Sequence, residues 1–292
     1  MTDAVVSARH LSKTLGGKEI LRDVSVDVAP GNIVGILGKN GAGKTTLLEV
    51  LLGFSPATSG TAALFGSDSF VLPASVKRRI GFVPQQDELI DSLNGAQQLS
   101  INASLHSTWN DALIGRLVKD WEVPLGRTIQ VLSGGERQKL STLLALGHEP
   151  DLLVLDEPAS SLDPVARRQF LQQILEIAAS PTRTVLFSTH IVSDLERVAN
   201  QVWILREGKV VWQGALDSLK ESVVRLIIRG HQTLPAPLGV PNTLSERVDG
   251  GRAQVVVTHW DDSNRSPLAR RLNADITVES LSLEDIFVEL HS

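Results

Sequence analysis

The chain of 292 residues carries 28 basic and 33 acidic residues, a net charge of −5 with no block of like charge, which argues against a protein whose main work is gripping bare nucleic-acid backbone. Its 42% hydrophobic and 4% aromatic content is that of a folded globular chain, and the length suits one large α/β domain plus a small one, or two domains. Cysteine is absent, which excludes disulfide frameworks, thiolate zinc sites and cysteine nucleophiles.

In chain order, the N-terminus lacks a signal-peptide layout and begins like a strand. Residues 5–10 and 24–28 read as short strands joined by a turn around Gly16-Gly17, a small antiparallel element. The apolar run Ile33–Leu37 predicts a buried strand, followed by a glycine-rich loop and a helix over 44–52. That loop, Gly38-Lys39-Asn40-Gly41-Ala42-Gly43-Lys44-Thr45, matches GxxxxGK[ST] in the strand-to-helix setting the motif requires, with Thr46 next in the helix. Glycines let the backbone turn its N–H groups onto phosphate oxygens, Lys44 offers a positive charge to the β- and γ-phosphates, and Thr45 offers a hydroxyl to Mg²⁺. The uncharged stretch 50–67 holds Pro56 with several glycines, serines and threonines, so no membrane span is expected and any membrane role comes through a partner.

Residues 88–150 read as a mostly helical insertion, with helices over 111–120 and 136–146. Strands over 152–155 and 184–187, each followed by a helix (165–179 and 192–199), argue for a parallel sheet covered by helices. Asp156 and Glu157 end the first of these strands, where ligands sit in open parallel sheets. Neighbouring strand residues face opposite ways, so the two acids divide the work: Asp156 serves Mg²⁺ and Glu157 polarises the attacking water. After Gly214 the texture changes. Strand-like 223–228 and 255–258, a Pro- and Gly-rich 231–241 and helices over 267–273 and 283–290 predict a small α+β domain over 218–292, following a first domain over 1–217.

Between the phosphate loop and the acid pair, Leu132-Ser133-Gly134-Gly135-Glu136-Arg137-Gln138 resembles the signature of the ATP-binding cassette (ABC) ATPases. Physically, Ser133 and the amides of Gly134 and Gly135 at a helix start make an anion-binding nest, although Ser133 with Glu136 also reads as a plain capping box. The resemblance implies ATP as substrate and Mg²⁺ as cofactor. It also implies an α/β phosphate-loop core with an antiparallel β subdomain and a helical subdomain. It assigns Gln85, with Gln86 as the neighbouring alternative, to Mg²⁺ and the attacking water, Asp163 of Ser161-Leu162-Asp163 to a dimer interface, and His190 to the γ-phosphate. ATP is then held by the phosphate loop of one copy and by Ser133, Gly134 and Gly135 of another, and its binding closes the dimer. A homodimer is expected, with a heterodimer permitted.

The ending 278–290 and Ser107-Thr108-Trp109-Asn110 are similar to exporter-type subunits that move drugs, antibiotics or lipids, which implies a separate transmembrane permease and a place on the cytoplasmic face of its membrane. The contrasting expectation is a soluble ABC ATPase acting on nucleic acid or in translation. It is disfavoured because the interval from Gln85 to Ser133 is too short for a long coiled coil and the phosphate loop occurs once. One position departs from the family. Where an aromatic residue stacks on adenine, this chain has Leu15, which predicts weaker or less base-selective binding, with His10 as a substitute contact.

Overall fold

The computed structural model describes residues 4–178 and 183–290, so the expected helix end at residue 179 lies outside the described residues. The chain forms two compact units, Met1–Gln213 and Gly214–Ser292. In chain order the first contains β1 (Val6–Leu15), β2 (Lys18–Val28), β3 (Ile33–Leu37), α1 (Lys44–Leu51), β4 (Ser59–Leu64), β5 (Ser67–Asp68), α2 (Ala74–Lys77) and β6 (Ile80–Val83). It continues through α3 (Gly95–Leu105), α4 (Asp111–Asp120), α5 (Gly134–Leu146), β7 (Leu152–Asp156), α6 (Pro164–Ala178), β8 (Thr184–Thr189), α7 (Val192–Val198), β9 (Gln201–Arg206) and β10 (Lys209–Ala215). The second contains α8 (Leu216–Ser222), β11 (Val223–Gly230), β12 (Thr243–Asp249), β13 (Arg252–Thr258), α9 (Arg265–Leu272), β14 (Ala274–Ser280) and α10 (Leu283–Leu290).

The central sheet runs β10-β9-β3-β8-β7-β6, with β3 parallel to β8 and β9, and β7 parallel to β6 and β8. Every residue of β7 and β8 is buried, which is why both read as continuous rather than alternating apolar runs. Register sets Leu37 beside Thr189 and Asp156 beside Ser188, so the chain leaves β3, β7 and β8 at one common edge. That edge is where an open parallel sheet collects ligand groups.

A second sheet, β2-β1-β4-β5, is antiparallel around the Gly16-Gly17 turn, and its inward residues Val6, Leu11, Leu21 and Val24 share one core with Leu47 and Leu48 of α1. α3 and α4 are opened by asparagine caps: Asn94 accepts from Gln97 N–H in a capping box, and Asn110 accepts from Leu113 N–H. The strand expected over 5–10 extends to Leu15, and that over 24–28 begins at Lys18. β4, β5, β6, β9, β10, β12 and β14 are additional to the expected strands, and α2 and α8 to the expected helices. β4 (SGTAAL) is small and largely exposed, and β6 has four residues including Gly81, so neither offers a hydrophobic run long enough to read.

The C-terminus of α1 is held by a turn in which Gly53, at φ 76°, lies so close to the Ser69 carbonyl that a Cβ would stand 1.9 Å from its oxygen. Gly53→Ala is therefore expected to destabilise the protein by about 3 kcal/mol. Gly41→Ala, at φ 79° but with open space around it, costs about 1 kcal/mol. Thermal unfolding of both variants checks the order; equal losses would show that the turn yields.

Candidate active site

The loop from Gly38 to Gly43 is shaped by glycine. A Cβ on Gly38 would stand 2.7 Å from the Leu205 carbonyl oxygen, and Gly43, at φ 103°, packs against Ile20 where a Cβ would meet its carbonyl at 3.1 Å. Gly43 is the N-cap of α1 and offers no side chain to its first turn, so that helix start retains amide donors for an anion. Lys39 and Asn40 are exposed, whereas Thr45 and Thr46 are partly buried on the first turn.

Lys44 is 6% exposed, and its Nζ donates to Gly38 O at 2.8 Å and Lys39 O at 3.4 Å. The same Nζ lies 3.1 Å from Glu157 Oε1, and the other carboxylate oxygen, Oε2, lies 2.8 Å from His190 Nδ1. Three expected site residues, one at the start of α1 and two just after β7 and β8, thus form one group. The Glu157 backbone sits in the left-handed region, φ 49°, and its N–H donates to Ser188 Oγ at 2.8 Å. Ser188 in turn donates to Asp156 Oδ1, so one buried hydroxyl fixes both acids. Ser188 is a site residue that the motifs miss; its signal was its place two residues before His190 at the end of a buried strand.

The remaining expected residues form a second cluster. Ser133 caps α5: its N–H and Oγ both donate to Glu136 Oε2, at 2.7 and 2.9 Å, and these bonds hold the Glu136 carboxyl below the usual range. Gly134 and Gly135 lie against Ser161 and Leu162, with a Cβ on Gly135 placed 3.0 Å from Leu162 Cδ2. Asp163 caps α6 by accepting from Val165 and Ala166 N–H, which lowers its pKa, and Arg167 holds the same turn through the Ala159 and Leu162 carbonyls. Among the described residues no hydrogen bond or ion pair joins Ser133, Gly134 or Gly135 to the phosphate loop. Gln85 and Gln86 are exposed after β6. The following residue, Asp87, is clamped by Arg137 of α5 through Nε and Nη2 at 2.8 and 2.6 Å, while Nη1 reaches Asp91 at 2.7 Å and the Ile129 carbonyl at 3.0 Å.

Leu15 stands 44% exposed at the tip of β1. His10 lies five positions before Leu15 on β1, with its backbone at φ 48°, and its Nδ1 is 2.8 Å from Asp23 Oδ1.

Residues 21–160 match the family model described as ABC transporter. The Nod factor export ATP-binding protein I of Burkholderia lata is 30% identical over 99% of this chain and 98% of its own length. The chain belongs to the ATP-binding subunits of ABC transporters. The bacitracin transport ATP-binding protein BcrA of Bacillus licheniformis is 31% identical over 74% of this chain and 72% of its own. A solved ATP-binding subunit of an ABC transporter superposes with a TM-score of 0.65 at 28% identity, covering 74% of this chain and 92% of that one. This ABC subunit is an ATPase, and among its described residues no helix is long and apolar enough to cross a membrane.

The Arg137 guanidinium holds the Asp87 carboxyl below its ordinary pKa, by direct hydrogen bonding first. The stabilisation is therefore complete above the ordinary carboxylate pKa and is lost in acid as Asp87 takes up a proton in the folded protein. Arg137→Met is expected to destabilise the subunit by about 2 kcal/mol at neutral pH. Its melting temperature should converge on the wild-type value as the pH falls through the carboxylate range; a gap independent of pH would assign the loss to packing.

Proposed function

We propose that residues 1–217 are the nucleotide-binding domain of a two-copy ATPase, and residues 218–292 an accessory domain. The pair drives export through a separate transmembrane permease on the cytoplasmic face of a membrane. The observation that carries the hydrolytic part is the buried group of Lys44, Glu157 and His190 beside the phosphate loop. The Lys44 charge is met by Glu157. Incoming phosphates take over Lys44, which frees Glu157 Oε1 to accept a proton from the attacking water while His190 keeps Oε2 in place. Gly38, Lys39, Asn40, Gly41, Ala42, Gly43, Thr45 and Thr46 supply the remaining phosphate cradle.

The donor set suits Mg²⁺. The Thr45 hydroxyl, the Asp156 oxygen not taken by Ser188 and the Gln85 amide are hard oxygen ligands, too few to cage a cation without substrate phosphates, which is how this ion is ordinarily held. Among the described residues no group of three or more His, Cys, Asp or Glu side chains forms a metal cage. When bound, Mg²⁺ neutralises charge on the phosphate oxygens.

Two-copy action is supported by the separation of the clusters: Ser133, Gly134 and Gly135 sit with the Asp163 turn rather than bonding to the chain's own phosphate loop. Export is supported by the Burkholderia lata and Bacillus licheniformis relatives, whose names give Nod factor export and bacitracin transport. The permease selects the cargo.

Glu157→Gln is expected to keep ATP binding and lower turnover by roughly 100-fold or more, whereas Lys44→Ala weakens both. Near-normal turnover in the Glu157 variant would sink the assignment. Tagged Glu157→Gln protein, recovered with ATP from detergent-solubilised membranes of its host, should bring down a polytopic membrane protein; recovery solely with ribosomes or nucleic acid would overturn the transporter reading. Leu15→Tyr adds the missing ring face, and is expected to lower the KM for ATP by roughly 2- to 10-fold while sharpening preference over other nucleoside triphosphates. An unchanged KM would mean that the base is held elsewhere.

A further inference from the structure

In the C-terminal unit the antiparallel sheet β12-β13-β11-β14 turns one face to a core of Leu226, Ile228, Val255, Val257, Leu268 and Ile276. The other face, away from that core, carries Ile227 and Arg229 on β11, Arg252 and Gln254 on β13, and Arg247 and Asp249 on β12. Register places Arg229 opposite Arg252, Arg252 opposite Asp249, and Arg247 opposite Gln254, so all six side chains share a face. They border an open hollow of about 390 Å³.

Two guanidiniums directly opposite each other on neighbouring strands repel, and a sheet has no structural reason to keep them there. Among the described residues, Arg229, Arg247 and Arg252 make no ion pair and no side-chain hydrogen bond. Two acids face the three cations: Asp249 lies opposite Arg252, and Asp275, 4.0 Å from His231, lies opposite Arg229. The face therefore keeps an excess of positive charge in the form of planar forks, the group that grips phosphate in bidentate fashion.

We propose that this face binds a small soluble phosphate ester. The phosphate sits among Arg229, Arg247 and Arg252, and the organic part lies over Ile227 with the Gln254 amide beside it. The concavity favours such a ligand over a bilayer: an anionic membrane surface would meet Asp249 and Asp275 flanking the arginine row on either side. The site is separate from the phosphate loop and does not depend on the catalytic assignments.

Glycerol 3-phosphate is the probe, added to full-length Lys44→Ala protein so that the phosphate loop does not compete. The backbone amide resonances of β11 and β13 and the Arg247 Nε–H resonance, which every variant retains, are followed by NMR. Saturable shifts are expected, with affinity weakened about tenfold or more in Arg229→Ala/Arg252→Ala and by less in Arg252→Lys, which keeps the positive charge but not the planar fork. ATP turnover of the double variant in a wild-type background stays unchanged, which reports its folding. Shifts that do not saturate, or an affinity indifferent to both substitutions, would overturn the proposal. So would arginine-dependent sedimentation with phosphatidylglycerol/phosphatidylcholine vesicles, which would assign the face to a membrane instead.

Discussion

A lysine ammonium at 6% exposure is stable only if partners replace nearly all of its lost hydration, and the edge where β3, β7 and β8 end is organised around that requirement. The partners of Lys44 come from separate elements: the Gly38 carbonyl follows β3, and the Glu157 carboxylate follows β7 and is itself held by His190 after β8. No local sequence could assemble this set. The parallel register, which brings Leu37 level with Thr189 and Asp156 level with Ser188, does so. The fold and the chemistry therefore answer to the same constraint, and the buried β-strands are as much a part of the site as the side chains they end in.

Around that centre, the geometry is tightened by groups that do not meet substrate. Ser188 serves two neighbouring acids at once, through its proton to Asp156 and its lone pair to the Glu157 amide. The left-handed backbone at Glu157 is an uncommon conformation for a residue with a side chain, and it turns the glutamate away from the strand direction followed by Asp156. Arg167 plays the corresponding part for the Asp163 turn by gripping two of its carbonyls.

Much of this was legible before any coordinates. β3, β7 and β8 announce themselves because full burial on both faces makes each a continuous apolar run, and the phosphate loop, acid pair and signature are contiguous strings with chemistry attached. β9, whose run Val202-Trp203-Ile204-Leu205 is as apolar as β7, was equally readable and is absent from the expected elements. Other features are illegible for physical reasons. The Ser188 contact to Glu157 spans 31 positions and the Arg137 contact to Asp87 spans 50, so each depends on tertiary register that no local pattern encodes. The pairing of His10 with Asp23 is hidden in the same way, since it joins two strands across 13 positions.

The Arg137 clamp has one more consequence, for how this subunit tolerates change in length. Asp87 and Asp91 stand where the helical insertion departs from the core, and Ile129 and Arg137 stand where it returns, so a single guanidinium staples the two ends of the excursion together. With the ends pinned, the entropy of closing the excursion grows only logarithmically with the number of residues inside it, about 0.6 kcal/mol for each doubling. Exposed turn positions within the excursion, such as Ser107 and Thr108, can therefore accept insertions at small thermodynamic cost, while Gln85 and Ser133, which flank the staple, stay in place. Variation between subunits of this kind is, by that reasoning, cheapest in the stretch of chain that lies beyond the clamp.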